Sequence, residues 1–209
     1  VAGICDGFTE SEGTLQSIKA LEAQGKLNHY YYGMVLMESF EALEPAIITA
    51  KEWQEKYGDE YIKIDFLKFF LDGTNEIGTS AVIEPFANDP EGKDRGIMNM
   101  TEEQLTTVFC RINQEKLNIQ IHIVGDRSFR TALDAAEKAH AMEKAEGREY
   151  ESRIWLIHCE LTKPEDRERV KTLGVHINFT PAWAGGAFGD AQHGFHHEQI
   201  HARIQLSLG

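Results

Sequence analysis

Three polar residues, Lys68, His122 and His158, lie at or near the ends of apolar runs. Each histidine closes a run of Ile, Leu or Trp, whereas Lys68 is flanked by Leu67 and Phe69. Neutral imidazole is a common ligand of Zn²⁺ and related ions, so histidines at the ends of two successive strands could share one metal ion. The alternative is that both are hydrogen-bonded core or edge residues, and the residues alone leave both interpretations open.

Lys68 is unusual because a lysine in an apolar run loses hydration unless it is paired or functional. Burial lowers the pKa of a lysine and makes the neutral amine nucleophilic. Such an amine can react with CO₂ to form a carbamate, an anionic oxygen ligand that can bridge two metal ions. The alternative is that Lys68 reaches solvent or pairs with a carboxylate such as Asp72.

Five further residues are candidates for a substrate pocket because they follow predicted strands: Asp72, Asp126, Arg127, Glu160 and Trp183. Asp126 comes after the His122 strand and is also a suitable N-cap for the next helix, which is the simpler interpretation. Asp72, followed by Gly73, could equally begin a loop.

Short apolar runs alternate with longer amphipathic stretches along the chain. Six strands are predicted, at 1–5, 30–37, 62–70, 119–124, 154–157 and 175–180. Capping boxes predict helices that begin at Thr101 and Thr162, and 196–208 is also predicted to be helical. Residues 72–100 show no period and predict a long loop, which in a compact domain is usually functional.

Strict alternation of strands and helices predicts an α/β fold with a parallel sheet, either doubly wound or closed into a barrel. Residues 1–209 are interpreted as a single domain. Six strands are two fewer than a (β/α)₈ barrel contains, and such a barrel typically needs about 250 residues. Length and pattern therefore predict either an open sheet or an incomplete barrel.

The net charge of −13 argues against nucleic acid or an anionic membrane surface as a partner, because both attract basic patches. A small-molecule substrate is compatible with this charge. No apolar run is long enough to span a membrane. Three cysteines without paired spacing do not indicate a disulfide framework, so a reducing, cytoplasmic location is expected.

Several motifs occur together in a fixed order. They are Lys68-Phe-Phe-Leu-Asp72-Gly73, His122-Ile-Val-Gly125-Asp126, Arg153-Ile-Trp-Leu-Ile-His158 and Pro181-Ala-Trp183. In this order they resemble the amidohydrolase superfamily, most closely its family 3 of YtcJ-like metal-dependent hydrolases. The first motif is one residue shorter than the family pattern Lys-x-Phe-x-x-Asp-Gly. The resemblance covers most of the chain and is strongest from Lys68 to Trp183.

The resemblance implies a TIM barrel of the metal-dependent hydrolase type that cleaves carbon–nitrogen bonds, chiefly non-peptide amides. It implies that Lys68, His122 and His158 are metal ligands. Lys68 could bind the metal as a carbamate. The implied cofactor is a divalent metal, expected to be one or two Zn²⁺ ions, which activates water and polarises the substrate carbonyl.

Parts of the family pattern are missing from this sequence. No His-x-His pair precedes Lys68, the strand-eight aspartate that acts as general base is absent, and so is the family's β-sandwich. The expectation is an incomplete barrel of about six βα units, covering barrel strands two to seven. The residue that acts as catalytic base is therefore unknown, the metal site can be empty, and this piece is expected to be inactive.

Two alternatives remain. The chain could be a non-catalytic regulatory or ligand-binding remnant of an amidohydrolase barrel, or an unrelated doubly wound protein that binds its ligand where the strand order reverses. The absence of Gly-x-Gly-x-x-Gly and P-loop motifs disfavours the second. In every case a sheet with exposed edges is expected to self-associate as a homo-oligomer.

Overall fold

The computed structural model describes residues 2–180, which form six strands and five α-helices. The strands are β1 (Gly3–Cys5), β2 (Tyr30–Leu36), β3 (Ile62–Phe70), β4 (Asn118–Ile123), β5 (Ile154–His158) and β6 (His176–Phe179). The helices are α1 (Glu12–Ala23), α2 (Leu43–Tyr57), α3 (Glu102–Gln114), α4 (Asp126–Ala145) and α5 (Pro164–Thr172), and a short 3₁₀ turn, Phe40–Ala42, precedes α2. Within these residues, no helix combines the length and apolar character needed to cross a membrane.

All six strands are parallel and lie in one sheet in the order of the sequence, β1 to β6. A doubly wound sheet reverses its strand order at a switch point, whereas a barrel adds each new strand beside the previous one. The described sheet has no reversal, so the doubly wound alternative is wrong. The six strands form a curled half-barrel with helices between them, which confirms the predicted incomplete barrel.

The two faces of the sheet have different surroundings. The core lies between the sheet and the helices, where Ile119, Ile121 and Ile123 of β4 pack with Leu67 and Phe69 of β3. Because side chains alternate along a strand, Lys68, Gln120 and His122 lie on the opposite, inner face. The alternating isoleucines therefore predicted correctly that His122 points away from them.

A β-bulge in β3 decides which face Lys68 occupies. Tyr32 pairs with Lys63 but Met34 pairs with Phe66, so β3 contains one extra residue at this point. Ile62 and Ile64 before the bulge face the helices, and so do the odd-numbered Leu67 and Phe69 after it. The bulge thereby turns Phe66, Lys68 and Phe70 toward the inner face.

The helix starts were predicted with mixed success. The Thr101 capping box is confirmed, because Thr101 Oγ1 accepts from Gln104 N (3.2 Å) and Gln104 Oε1 accepts from Thr101 N (2.9 Å). The Thr162 box is wrong: Lys163 is the N-cap of α5, and Thr162 Oγ1 accepts from Arg167 instead. Residues 196–208 lie outside the described residues.

The edges of the described sheet are β1 and β6. Because an unpaired edge can pair with a strand of another chain, we expect the chain to form dimers at high concentration. Ile4→Lys, at an exposed edge position, is expected to weaken this association, whereas Ile48→Lys, at a still more exposed position on α2, is expected to leave it unchanged. Sedimentation equilibrium measures the mass; a monomer at every concentration would contradict the prediction.

Candidate metal centre

His122 and His158 lie side by side at the ends of neighbouring strands. Their ring centroids are 4.7 Å apart and the rings meet edge to face. Alternation along β5 would place His158 with Ile154 and Leu156 against the helices, but His158 and Cys159 have positive φ angles of 75° and 49°. Two successive non-glycine residues in this region are uncommon, and strained backbone of this kind clusters at functional sites. At these two residues the backbone leaves the regular strand, and the His158 ring lies beside His122.

Each ring makes a hydrogen bond that fixes its orientation. His122 Nε2 lies 2.9 Å from the Gly73 carbonyl oxygen, so it carries the proton and donates, and Nδ1 carries the lone pair. His158 Nδ1 lies 2.7 Å from Thr180 Oγ1; donation from Nδ1 would place the lone pair on Nε2. A metal-binding histidine is usually oriented by a hydrogen bond at the ring nitrogen that does not bind the metal.

Both imidazoles are held in the neutral form that binds metals. Burial lowers the pKa of His122 below its ordinary value. Burial, with help from His122 and Lys68 nearby, lowers the pKa of His158 to about 4. Neither ring therefore needs to lose a proton near neutral pH before an ion binds.

Lys68 is 2% exposed, and its Nζ donates to Gln120 Oε1 at 3.3 Å and lies 4.8 Å from the centre of the Phe70 ring. Burial lowers the pKa of Lys68 to about 7. A substantial fraction of the lysine is therefore a neutral amine near neutral pH. The alternative pairing of Lys68 with Asp72 does not occur, and the oxygens of Asp72 accept hydrogen bonds from other groups.

Asp72 joins several segments at the carboxyl end of β3. Its Oδ1 accepts from Val124 N (3.0 Å), and its Oδ2 accepts from Gly125 N (2.8 Å), Ala81 N (3.0 Å) and Ser128 Oγ (2.7 Å). Asp72 Oδ1 is also 3.9 Å from His122 Nε2. These contacts connect the ends of β3 and β4, the start of α4 and the long loop.

Asp126 and Arg127 also hold the long loop. Gly125, rather than the predicted Asp126, is the N-cap of α4, because the helix begins at Asp126. Asp126 Oδ1 accepts from Ile83 N (2.8 Å), and Arg127 Nη2 donates to the Arg95 carbonyl (2.9 Å). A Cβ atom on Gly125 would overlap the Ala81 carbonyl, so the loop packs directly against this turn.

Glu160 follows β5 and contacts the first part of the long loop. Asn75 Nδ2 donates to Glu160 Oε2 at 2.7 Å, and Ser80 Oγ donates to Asn75 Oδ1 at 2.6 Å. Burial raises the pKa of Glu160 to about 7, so its carboxyl group exchanges a proton near neutral pH. Trp183, the last predicted pocket residue, lies outside the described residues.

Comparison with known proteins identifies the family to which this site belongs. The model of the Amidohydrolase family matches residues 5–204, which is nearly the whole chain. The chain belongs to the amidohydrolase family. The resemblance inferred from the motifs is thus confirmed at the level of the family.

Three proteins illustrate the similarity of this amidohydrolase to others. The exoenzymes regulatory protein AepA of Pectobacterium carotovorum is 22% identical over 173 residues, which are 82% of this chain and 35% of AepA. YtcJ of Bacillus subtilis (strain 168), described as an amidohydrolase, is 23% identical over 173 residues, 82% of this chain and 30% of YtcJ. An uncharacterized metal-dependent hydrolase of Pyrococcus furiosus matches with TM-score 0.63 and 24% identity, over 87% of this chain and 34% of its own. The chain spans about a third of the length of these relatives.

The donor groups on the inner face of the sheet are of kinds that bind a divalent metal. This face offers two adjacent neutral imidazoles and a buried amine that can become an oxygen ligand. Imidazole nitrogen and anionic oxygen are donors that Zn²⁺ accepts. Within residues 2–180, however, no three His, Cys, Asp or Glu side chains come together as a metal-binding group.

The sequence predicted no site role for four residues that contact the candidate site residues: Gly73, Asn75, Gln120 and Thr180. Gln120 left a signal, since it is one of the polar residues that alternate with isoleucines in β4, two positions before His122. Gly73 and Thr180 act through contacts between residues far apart in the sequence, which no local pattern reveals.

Proposed function

We propose that this amidohydrolase chain supplies part of the metal centre of an enzyme that hydrolyses carbon–nitrogen bonds of small molecules, chiefly non-peptide amides. The observation that supports the proposal most strongly is the pairing of His122 and His158, 4.7 Å apart between ring centroids and held neutral beside Lys68. In this proposal His122 binds through Nδ1 and His158 through Nε2, as their other hydrogen bonds favour.

Zn²⁺ is the ion we propose, because it prefers nitrogen ligands together with an anionic oxygen. When bound, a divalent ion supplies a Lewis acid for the carbonyl oxygen and lowers the pKa of a coordinated water. The chain's own part is to orient two imidazoles, to keep them unprotonated and to keep Lys68 away from solvent.

We propose that Lys68 serves as a carbamate. The lowered pKa leaves a neutral Nζ whose lone pair can attack the carbon of CO₂. One N–C bond forms as one C–O π bond opens, and the Nζ proton leaves to solvent. The product carries the anionic oxygen that a bare lysine lacks.

Glu160 is proposed to contact substrate, since its carboxyl group exchanges a proton near neutral pH and Asn75 holds it beside β5. Asp72, Asp126 and Arg127 are proposed to support the pocket by holding the long loop in place. Because the described residues provide two imidazoles and one lysine, we also propose that the chain alone does not hydrolyse its substrate.

The test is the zinc content of the purified chain after incubation with Zn²⁺ and removal of excess ion. We expect stoichiometric zinc in the unaltered chain and a loss of about tenfold or more in affinity for His122→Ala and His158→Ala. His29→Ala, in the turn between α1 and β2, is the matched control and should bind as the unaltered chain does. Absence of zinc from the unaltered chain, in bicarbonate buffer, would contradict the proposal.

A regulatory, ligand-binding role without hydrolysis is the second candidate. It is favoured by the similarity to AepA, which is described as a regulatory protein, and by the lack of a three-residue His, Cys, Asp or Glu group within residues 2–180. Zinc binding separates the two candidates. A remnant that binds its ligand without metal retains no zinc, and His122→Ala does not change its zinc content.

A further inference from the structure

Gln120 lies directly opposite Lys68 in the sheet. The two residues pair in the parallel ladder between β3 and β4, and both lie on the inner face. Gln120 is 3% exposed and is two positions before His122 on the same strand. A side chain at this position is therefore adjacent to two of the three proposed ligands.

The buried amide of Gln120 needs a partner. Its neighbours in β4 are Ile119 and Ile121, which pack in the apolar core. An amide removed from water without a hydrogen bond is costly, so buried polar groups are nearly always bonded. Gln120 Oε1 accepts from Lys68 Nζ at 3.3 Å, and the Phe70 ring lies at 4.8 Å from the same nitrogen.

Lys68 has few other polar groups to hold its end in place. Among residues 2–180, no carboxylate acts on the pKa of Lys68, so its Nζ has no ion-pair partner there. A lysine side chain has four rotatable bonds, so a single ordered hydrogen bond strongly limits where its nitrogen lies. The hydrogen bond that fixes Nζ is the one it donates to Gln120 Oε1.

We propose that Gln120 is a positioning residue that holds the end of Lys68 beside His122 and thereby sets the metal affinity of the centre. The inference rests on the proposed function, because it takes Lys68 to be a ligand. It adds a residue that neither the motifs nor the family comparison singles out.

An amide suits this task better than a carboxylate. Glutamine offers an acceptor oxygen for an amine and, after rotation of the amide, two donor hydrogens for the oxygens of a carbamate. Glutamate at this position would pair with an ammonium group and would repel a carbamate. Glutamine can therefore hold Lys68 both before and after it reacts with CO₂.

Zinc affinity, measured by competition with a chelator, tests the role of Gln120. We expect Gln120→Leu, which keeps the volume and removes the hydrogen bond, to bind zinc about ten- to a hundredfold more weakly. Gln120→Glu should bind at least as weakly, and it carries the test if the leucine variant does not fold. Gln16→Leu, the same change at an exposed position of α1, is the control and should bind normally.

A double-mutant cycle separates positioning from a general structural effect. If Gln120 acts through Lys68, Gln120→Leu should not lower the affinity further in a Lys68→Met background. An equal loss in both backgrounds would overturn the proposal, and so would unchanged affinity in Gln120→Leu and Gln120→Glu alone. Failure of the unaltered chain to bind zinc would instead contradict the proposed metal centre.

Discussion

Replacing Lys68 by methionine is expected to raise the free energy of unfolding of the metal-free chain at pH 6 by about 3–4 kcal/mol. A buried lysine whose pKa falls from 10.5 to about 7 carries a penalty of roughly 5 kcal/mol when protonated, at about 1.4 kcal/mol per unit. Methionine fills a similar volume without charge. The net gain is smaller because Gln120 loses its partner, which costs about 1–2 kcal/mol.

The gain should depend on pH in a direction that follows from the pKa of Lys68. Between about pH 7 and pH 10.5 the unfolded chain binds more protons than the folded chain, so the stability of the unaltered protein rises with pH. Below about pH 7 both states carry the proton and the full penalty is present. The advantage of Lys68→Met is therefore greatest at pH 6 and should shrink by pH 9.5.

Urea unfolding at pH 6 and pH 9.5, in buffer free of CO₂ and metal, measures this effect. Lys63→Met is the matched control, because Lys63 is an exposed lysine on the same strand whose ammonium donates to the Asp59 carbonyl. It should show no comparable dependence on pH. A Lys68→Met chain that is less stable than the unaltered protein at both pH values would show that Lys68 is not buried at a cost.

A gain of stability in Lys68→Met at pH 6 would distinguish a functional lysine from a structural one. A lysine that destabilises the fold it belongs to is retained for something other than stability, as strained and costly groups at active sites commonly are. The same variant is expected to lose zinc affinity. Gain of stability together with loss of metal binding is an outcome that neither a core residue nor a surface residue would produce.

The strands and helices were predictable because their signals are local. The isoleucines at 119, 121 and 123 alternate in a way that indicates one buried face, and this placed His122 correctly on the other. The Thr101 capping box likewise rests on residues three positions apart. Thr162-Lys-Pro-Glu165 has the same Thr-x-x-Glu/Gln pattern, but α5 begins one residue too late for the capping box to form.

The arrangement of the site was not predictable, because it depends on departures from regular strands. The bulge in β3 gives Lys68 its face, and the positive φ angles at His158 and Cys159 accompany the turn of the His158 ring toward His122. Histidine adopts positive φ more often than most residue types, but cysteine does not, and no glycine, asparagine or aspartate marks the end of β5. Tertiary contacts override the local preference at both places.

The long loop also acquires its structure from distant residues. Residues 72–100 contain no helix or strand, as predicted, yet Ser80 and Ala81 are completely buried. The loop is held by the Asp126 and Arg127 contacts and by Asp72, all from motifs interpreted as pocket candidates. Much of the family pattern around His122 thus serves to fix the loop beside the proposed metal ligands.

Replacing Asp72 by alanine is expected to lower the free energy of unfolding by about 4 kcal/mol or more. The carboxylate accepts hydrogen bonds from Val124 N, Gly125 N, Ala81 N and Ser128 Oγ. Each buried donor left without an acceptor costs about 1–3 kcal/mol, reduced where water enters. Asp72→Asn keeps one oxygen acceptor and is expected to lower the free energy of unfolding by about half as much. Its amide nitrogen would face at least one of these donors and cannot accept a hydrogen bond from it.

Asp89→Ala provides the control for the Asp72 variants. Asp89 lies in the same loop and accepts from the backbone N–H groups of Glu91, Lys93 and Asp94, but these bonds are at the surface. Water can replace them, so the expected loss is about 1 kcal/mol or less. Chemical unfolding of the metal-free variants measures both. Equal losses for Asp72→Ala and Asp89→Ala would mean that the buried carboxylate does not hold the loop, and the proposed link between the loop and His122 would fail with it.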